Sequence, residues 1–191
     1  MRATAALKII VLGLALLASS AHAAALDGLS LPDTYPVAGQ NLVLNGIGIR
    51  TLTILRVRVY LAGLYLAQPN RDGRAIIASA TPKVILLQFL HAASKSDIEK
   101  RYREGEQRNC GNGGCNPADE ADFEKLIAAT PAAAVGDTLT YVITSTGMRV
   151  LLNNKTIGDF NNPDLATRLL AGFIGETPPS EDLKQQLLGK G

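Results

Sequence analysis

The stretch LNGIGIRTLTILRVRVYLAGLYLA, Leu44 to Ala67, decides how the chain folds. It is rich in β-branched and aromatic residues, the composition of strands rather than helices. Yet it carries Arg50, Arg56 and Arg58. Strict alternation puts Leu55, Val57, Val59 and Leu61 on one face and Arg56, Arg58 and Tyr60 on the other. That pattern assigns Arg56 and Arg58 to the solvated face of an antiparallel sheet. Arg50 stands apart, following Gly46, Ile47, Gly48 and Ile49. Glycines in a strand let a backbone or a ligand approach closely. A guanidinium in so apolar a setting needs a partner, because an unpaired buried charge is costly. Two partners fit its planar fork: an internal Asp or Glu, or a carboxylate or enolate oxygen of a ligand.

Working outward, Gln40 to Gln68 reads as one or two long strands, with a bend near Gly46 and Gly48. Lys83 to Leu90, KVILLQFL, is an apolar run of buried-strand type. Ser96 and Glu99 have capping-box spacing and predict a helix over 97–106. Asn116-Pro117 opens a second helix that must end before Pro131. The segment DTLTYVITSTGMRVLLNNKTIGDF, 137–160, predicts a β-meander turning at Gly147 and Asn153-Asn154. Asn162-Pro163 starts a third helix, and Ser180 caps a fourth that Gly189 closes. Strands and helices are grouped rather than alternating, so the expected class is α+β: one long antiparallel sheet with helices layered on one face, an open-faced sandwich.

The N-terminus has the form of a secretory signal peptide over 1–23. Arg2 and Lys8 precede an apolar run from Ile9 to Ala18, and Ala21-His22-Ala23 supplies small residues at a cleavage site. The run is short for a membrane span. One domain over 24–191 is left, expected in the periplasm or secreted, with no integral membrane span. Of 19 Lys and Arg against 17 Asp and Glu, two of the basic residues lie in the leader, so the remaining chain is neutral. It has no basic field for nucleic acid. Cys110 and Cys115, the only cysteines, bracket GNGG, and in an exported chain they are expected to form a disulfide. One histidine beyond the leader and two cysteines cannot build a closed soft-ligand metal site, and no cofactor motif is present.

The stretches GIGIRTLTILRVRVYLAGLYL and LLAGFIGETPPSEDLKQQLLG resemble the chalcone isomerase-like family, in its short bacterial exported branch. The resemblance extends over nearly all of the chain after the leader. It implies the open-faced sandwich already expected. It also implies one of two activities: cyclisation of an enone-bearing chalcone, or binding of a fatty acid in the same cleft. In both, an arginine early in the long strand faces an oxyanion or carboxylate, and Arg50 holds the matching position. The enzymes follow it with a threonine hydroxyl; here Tyr60, ten positions on, is the nearest match. The enzymes also use a helical tyrosine and asparagine. Tyr102 and Asn109 reproduce that spacing only if residues are inserted after Leu90.

Three functions follow. A binder would hold a small lipophilic carboxylate, anchored by Arg50 with Tyr60. An isomerase or intramolecular lyase would use Arg50 on a developing enolate, with Tyr102 and Asn109 as weak catalytic candidates. An interaction module would pair Arg50 internally. The insecure match of Tyr102 and Asn109, and an aromatic content of only 5% without tryptophan, favour the binder over the enzyme. Catalysis stays open, and no protein partner is identified.

Overall fold

The computed structural model describes residues 24–52, 55–110 and 115–191. The signal peptide expected over 1–23 lies outside the described residues. Strands β1 (Ala24–Leu26) and β2 (Leu29–Leu31) form a small hairpin. A seven-stranded antiparallel sheet follows in strict sequence order: β3 (Thr34–Val37), β4 (Gln40–Leu52), β5 (Val57–Leu66), β6 (Lys83–Phe89), β7 (Thr138–Thr144), β8 (Gly147–Leu152) and β9 (Lys155–Phe160). Helix α1 (Gly73–Ala78) joins β5 to β6, and α2 (Lys95–Cys110) with α3 (Pro117–Ala129) joins β6 to β7. Helices α4 (Pro163–Ile174) and α5 (Glu181–Leu187) close the chain. The helices pack on one side of the sheet, so the expected α+β sandwich is what forms.

Each sheet face has its own core. On the helix side, Ala62, Leu64, Ile85, Leu87, Leu139, Tyr141 and Val150 meet Leu126, Leu165, Leu170 and Ile174. On the other side, Leu42, Leu61, Tyr65, Val84 and Leu86 are capped by Leu31 of the β1–β2 hairpin. The Tyr65 hydroxyl donates to the Pro32 carbonyl at 2.9 Å, which fastens that hairpin. Three- and four-residue strands carry too little alternation to read, so neither β1, β2 nor β3 was expected from the sequence.

The long strand is two strands. The turn between them lies after Leu52, with Arg56 at φ 52°, rather than at the glycines. Near the glycines there is instead a bulge, between Leu44 and Gly46. A second bulge changes the expected alternation. Arg50 pairs with Tyr60 and Thr51 with Arg58, leaving Val59 as the extra residue. A bulge turns neighbouring side chains toward the same side. Val57 and Val59 therefore join Tyr60 on the helix side, away from Leu61, while Arg58 reaches toward Asp27 of the β1–β2 turn, at 3.9 Å. The groupings of Tyr60 with Arg58, and of Val57 and Val59 with Leu61, are thus corrected.

Two helix starts test the capping argument. Asn162 caps α4, accepting from the Leu165 amide at 2.9 Å, and Ser180 caps α5, as expected. Helix α2 begins one turn fragment earlier than expected. Ser94 rather than Ser96 is its cap: Ser94 Oγ accepts from the Asp97 amide, and the Asp97 carboxylate accepts from the Ser94 amide, both at 3.1 Å. The helix also runs on to Cys110. Asn153 and Asn154 turn β8 into β9 with φ of 50° and 64°, the left-handed pair of a two-residue hairpin.

Candidate functional site

The two ends of β4 meet the helix layer differently. At Gly46 and Gly48, α5 lies directly on the strand. A β-carbon at Gly46 would overlap the carbonyl oxygens of Gln186 and Leu187, and one at Gly48 would lie 2.8 Å from Gln186 Cβ. The glycines thus admit a backbone, not a ligand. Asn45 Nδ2 donates to the Leu187 carbonyl at 2.8 Å, and the Ile49 amide donates to Gln186 Oε1 at 3.0 Å. These bonds stitch α5 down along the first half of the strand.

Beyond Ile49 the helices stand off, and a cavity of about 430 Å³ opens between sheet and helix layer. Native interiors hold few voids larger than a water molecule. A space of this size is in the range of small-ligand sites. Leu87, Leu139, Phe123, Leu165 and Phe173 make its apolar walls, and the exposed residues Val57, His91, Arg101, Arg108 and Pro179 mark its mouth. Arg50, Tyr60, Tyr102 and Asn109 all line this one cavity. Four positions singled out in sequence, from β4, β5 and α2, are brought together.

Arg50 is half-buried, and among the described residues its guanidinium makes no ion pair or hydrogen bond. Burial lowers its pKa from the usual guanidinium range, and the nearby guanidinia of Arg101 and Arg108 add to that; Tyr60 and Glu104 oppose it. Arg101 is itself paired with Glu104 at 2.9 Å. The internal carboxylate that would have neutralised Arg50 is therefore absent among the described residues. Tyr60 faces Arg50 across the ladder, packed edge-on against Phe89 at 6.3 Å. Burial pushes its phenol up to about 12, with Arg50 and Arg101 pulling down. At neutral pH it is a hydroxyl, and no described residue takes its proton in a hydrogen bond.

Tyr102 and Asn109 are differently engaged. The Tyr102 hydroxyl lies 2.6 Å from that of Tyr141 and 3.3 Å from Thr130 Oγ1. Thr130 donates to the Leu126 carbonyl at 2.8 Å. Its proton is thus committed, so the chain of donors runs from Tyr141 to Tyr102 to Thr130. Burial raises the pKa of both tyrosines. Asn109 Nδ2 donates to the Gly105 carbonyl at 2.8 Å, within its own helix. Both residues border the cavity, yet the Tyr102 hydroxyl and one Asn109 N–H are committed to partners within the protein.

Sequence reasoning missed several neighbours. Glu106 Oε1 and Arg168 Nη2 line the cavity wall, buried and without a hydrogen-bond partner among the described residues. Arg168 Nη1 pairs with Asp119 at 2.7 Å, and Asn162 donates to the same carboxylate at 2.8 Å. Burial raises the Glu106 pKa, against the pull of Arg168. Tyr141, in the middle of β7, gave no sign beyond being a polar-tipped residue in a buried strand. Composition also misled: six of the nine aromatic residues line this cavity, so scarcity overall is not scarcity at the site. Cys110 and Cys115 are disulfide-bonded, linking the end of α2 to the approach of α3. Among the described residues, Glu106 beside them completes the one group of metal-type ligands, but sulfurs tied in a disulfide do not ligate.

A family model described as chalcone isomerase-like matches residues 23–189. The chain belongs to the chalcone isomerase-like family. No curated protein matches it by sequence. A solved structure of a fatty-acid binding protein of Arabidopsis thaliana superposes with a TM-score of 0.67, covering 84% of this chain and 92% of that one. At 16% identity the likeness is one of fold. The chain itself has a cleft between sheet and helices, lined by an arginine from β4.

Proposed function

We propose that the protein is a non-catalytic binder of a fatty acid or similar small lipophilic carboxylate, held in the cleft between sheet and helices and anchored at Arg50. The observation that carries this reading is the Arg50 guanidinium, half-buried and without a carboxylate partner among the described residues, at the entrance of an apolar cavity. A carboxylate there would meet a planar pair of donors, contributing about 1.5–3 kcal/mol, and Tyr60 could add a further donor. Chain burial would contribute about 0.8 kcal/mol per methylene. We further propose that residues 1–23 act as a secretory leader and direct this binder to the periplasm or out of the cell. The Arabidopsis fatty-acid binding protein of similar fold supports the ligand class.

One observation favours the isomerase reading: Tyr102 and Asn109 reach the same cavity as Arg50 and Tyr60. Against it, the Tyr102 hydroxyl and one Asn109 N–H are already committed to partners within the protein. Extraction of the purified protein with organic solvent, followed by mass spectrometry, tests the binder. Stoichiometric fatty acid in wild type, lost in Arg50→Gln, is expected. Empty protein that instead consumes an enone chromophore, followed by its absorbance, would replace the binder with the enzyme.

A further inference from the structure

The cavity mouth adjoins an exposed surface of distinctive chemistry. The last pair of the β4–β5 ladder, Leu52 and Val57, lines the cavity. Leu55, in the turn just beyond, is 81% exposed, and Val57 is 39% exposed. Isolated exposed apolar residues are ordinary, but these two sit at the tip of a hairpin whose run from Arg50 to Arg58 holds three arginines and no acidic residue. Arg101 and Arg108 of α2 stand across the same mouth, near enough to Arg50 to depress its pKa. The acidic groups facing this cluster are Asp27, Asp97, Glu104 and Glu106. At the mouth Arg50, Arg101 and Arg108 are matched by Asp97, Glu104 and Glu106, so the excess positive charge lies at the tip, where among the described residues Arg56 and Arg58 meet only Asp27.

We propose that the β4–β5 tip docks on an anionic lipid bilayer, with Leu55 and Val57 entering the interface and the surrounding arginines meeting lipid phosphates, so that the cavity exchanges its ligand with the membrane. This rests on the reading of the cavity as a lipophile site. Apolar side chains flanked by arginines match the layered chemistry of a bilayer surface, apolar beneath and anionic above. Two apolar residues are too few for a stable protein interface, which needs roughly 1,000 Å²; a fluid lipid surface needs no matched partner. A lipophilic ligand also gains a route that avoids bulk water, because the docked tip borders the cavity entrance.

The test uses vesicle flotation with a chain beginning at Ala24. Vesicles of phosphatidylglycerol mixed with phosphatidylcholine are compared with phosphatidylcholine alone, at low and high salt. Flotation on the anionic vesicles only, weakened at least tenfold by Leu55→Asp and by Arg56→Glu, is expected. The chain holds no tryptophan, so Leu55→Trp supplies a single indole whose emission should shift to the blue with anionic vesicles alone. Binding of a soluble short-chain acid is measured on the same variants and should stay at the wild-type level. Equal flotation on neutral and anionic vesicles, wild-type flotation by Leu55→Asp, or an unshifted indole would overturn the proposal. Acid binding with no flotation would overturn it while leaving the cavity reading intact, and would point to a protein partner at this tip. Loss of acid binding in wild type would instead remove the reading on which it rests.

Discussion

The two halves of β4 share one strand and one sheet face, and they behave as opposites. From Asn45 to Ile49 the strand is sealed: α5 lies on two glycines and is tied by Asn45 and Gln186. From Arg50 onward it is open, with a guanidinium and a phenol facing a cavity. The sealed half converts its sequence into stability, while the open half leaves polar groups unpaired at some cost to stability. A bulge separates the pairing at Arg50 from that at Thr51, and it brings Val59 to the cavity side beside Tyr60. Substitutions in the two halves should therefore separate folding from binding.

The largest effect is expected in the sealed half. Gly46→Val forces side-chain atoms onto the carbonyls of Gln186 and Leu187 and should destabilise by about 3 kcal/mol or more, read from urea unfolding. A mild loss would mean that α5 lifts easily and that the sealing is loose. Arg50→Gln, in the open half, should weaken binding of a fatty acid by about 1.5–3 kcal/mol, roughly ten- to a hundredfold, by calorimetric titration. Its ligand-free melting temperature should hold or rise, because a half-buried unpaired charge is removed. Deeper in the cavity, Tyr102→Phe strands the buried Tyr141 hydroxyl and should cost about 1–2 kcal/mol of stability. Tyr60→Phe, whose hydroxyl has no described partner, should cost about 1 kcal/mol of acid binding and little stability.

A pH measurement probes the wall between α3 and α4. The bond from Arg168, and then that from Asn162, hold the Asp119 carboxyl below its ordinary 3.8. A depressed folded-state pKa gives stability that is complete above the unfolded value and lost as pH falls through the folded one. Wild type should thus lose stability more steeply than Asp119→Asn below about pH 4, in urea melts at a series of pH values.

Much of the fold was legible because its signals are local. The Asn and Ser caps of α4 and α5, the Asn153-Asn154 turn and the meander all depend on residues adjacent in sequence. Arg50 was legible because a charge among glycines and isoleucines breaks its own pattern. The faces of Val57, Arg58 and Val59 were not, since period-two alternation holds only until a bulge, and no residue type marks this one. The start of α2 was ambiguous because Ser94-Asp97 and Ser96-Glu99 share capping-box spacing. The bridge between Ala93 and Ala133 holds the chain where Ser94 is next to turn. Tyr141, Glu106 and Arg168 reach the cavity from three distant segments, and only packing joins them.

The most direct test compares a fatty acid with the alcohol of the same chain length, in wild type and in Arg50→Gln. The two ligands bury the same methylenes and differ in the charged oxygen. If Arg50 anchors a carboxylate, wild type prefers the acid by at least tenfold and Arg50→Gln shows little preference. Equal affinity for acid and alcohol in wild type, or a preference that survives in Arg50→Gln, would contradict the account.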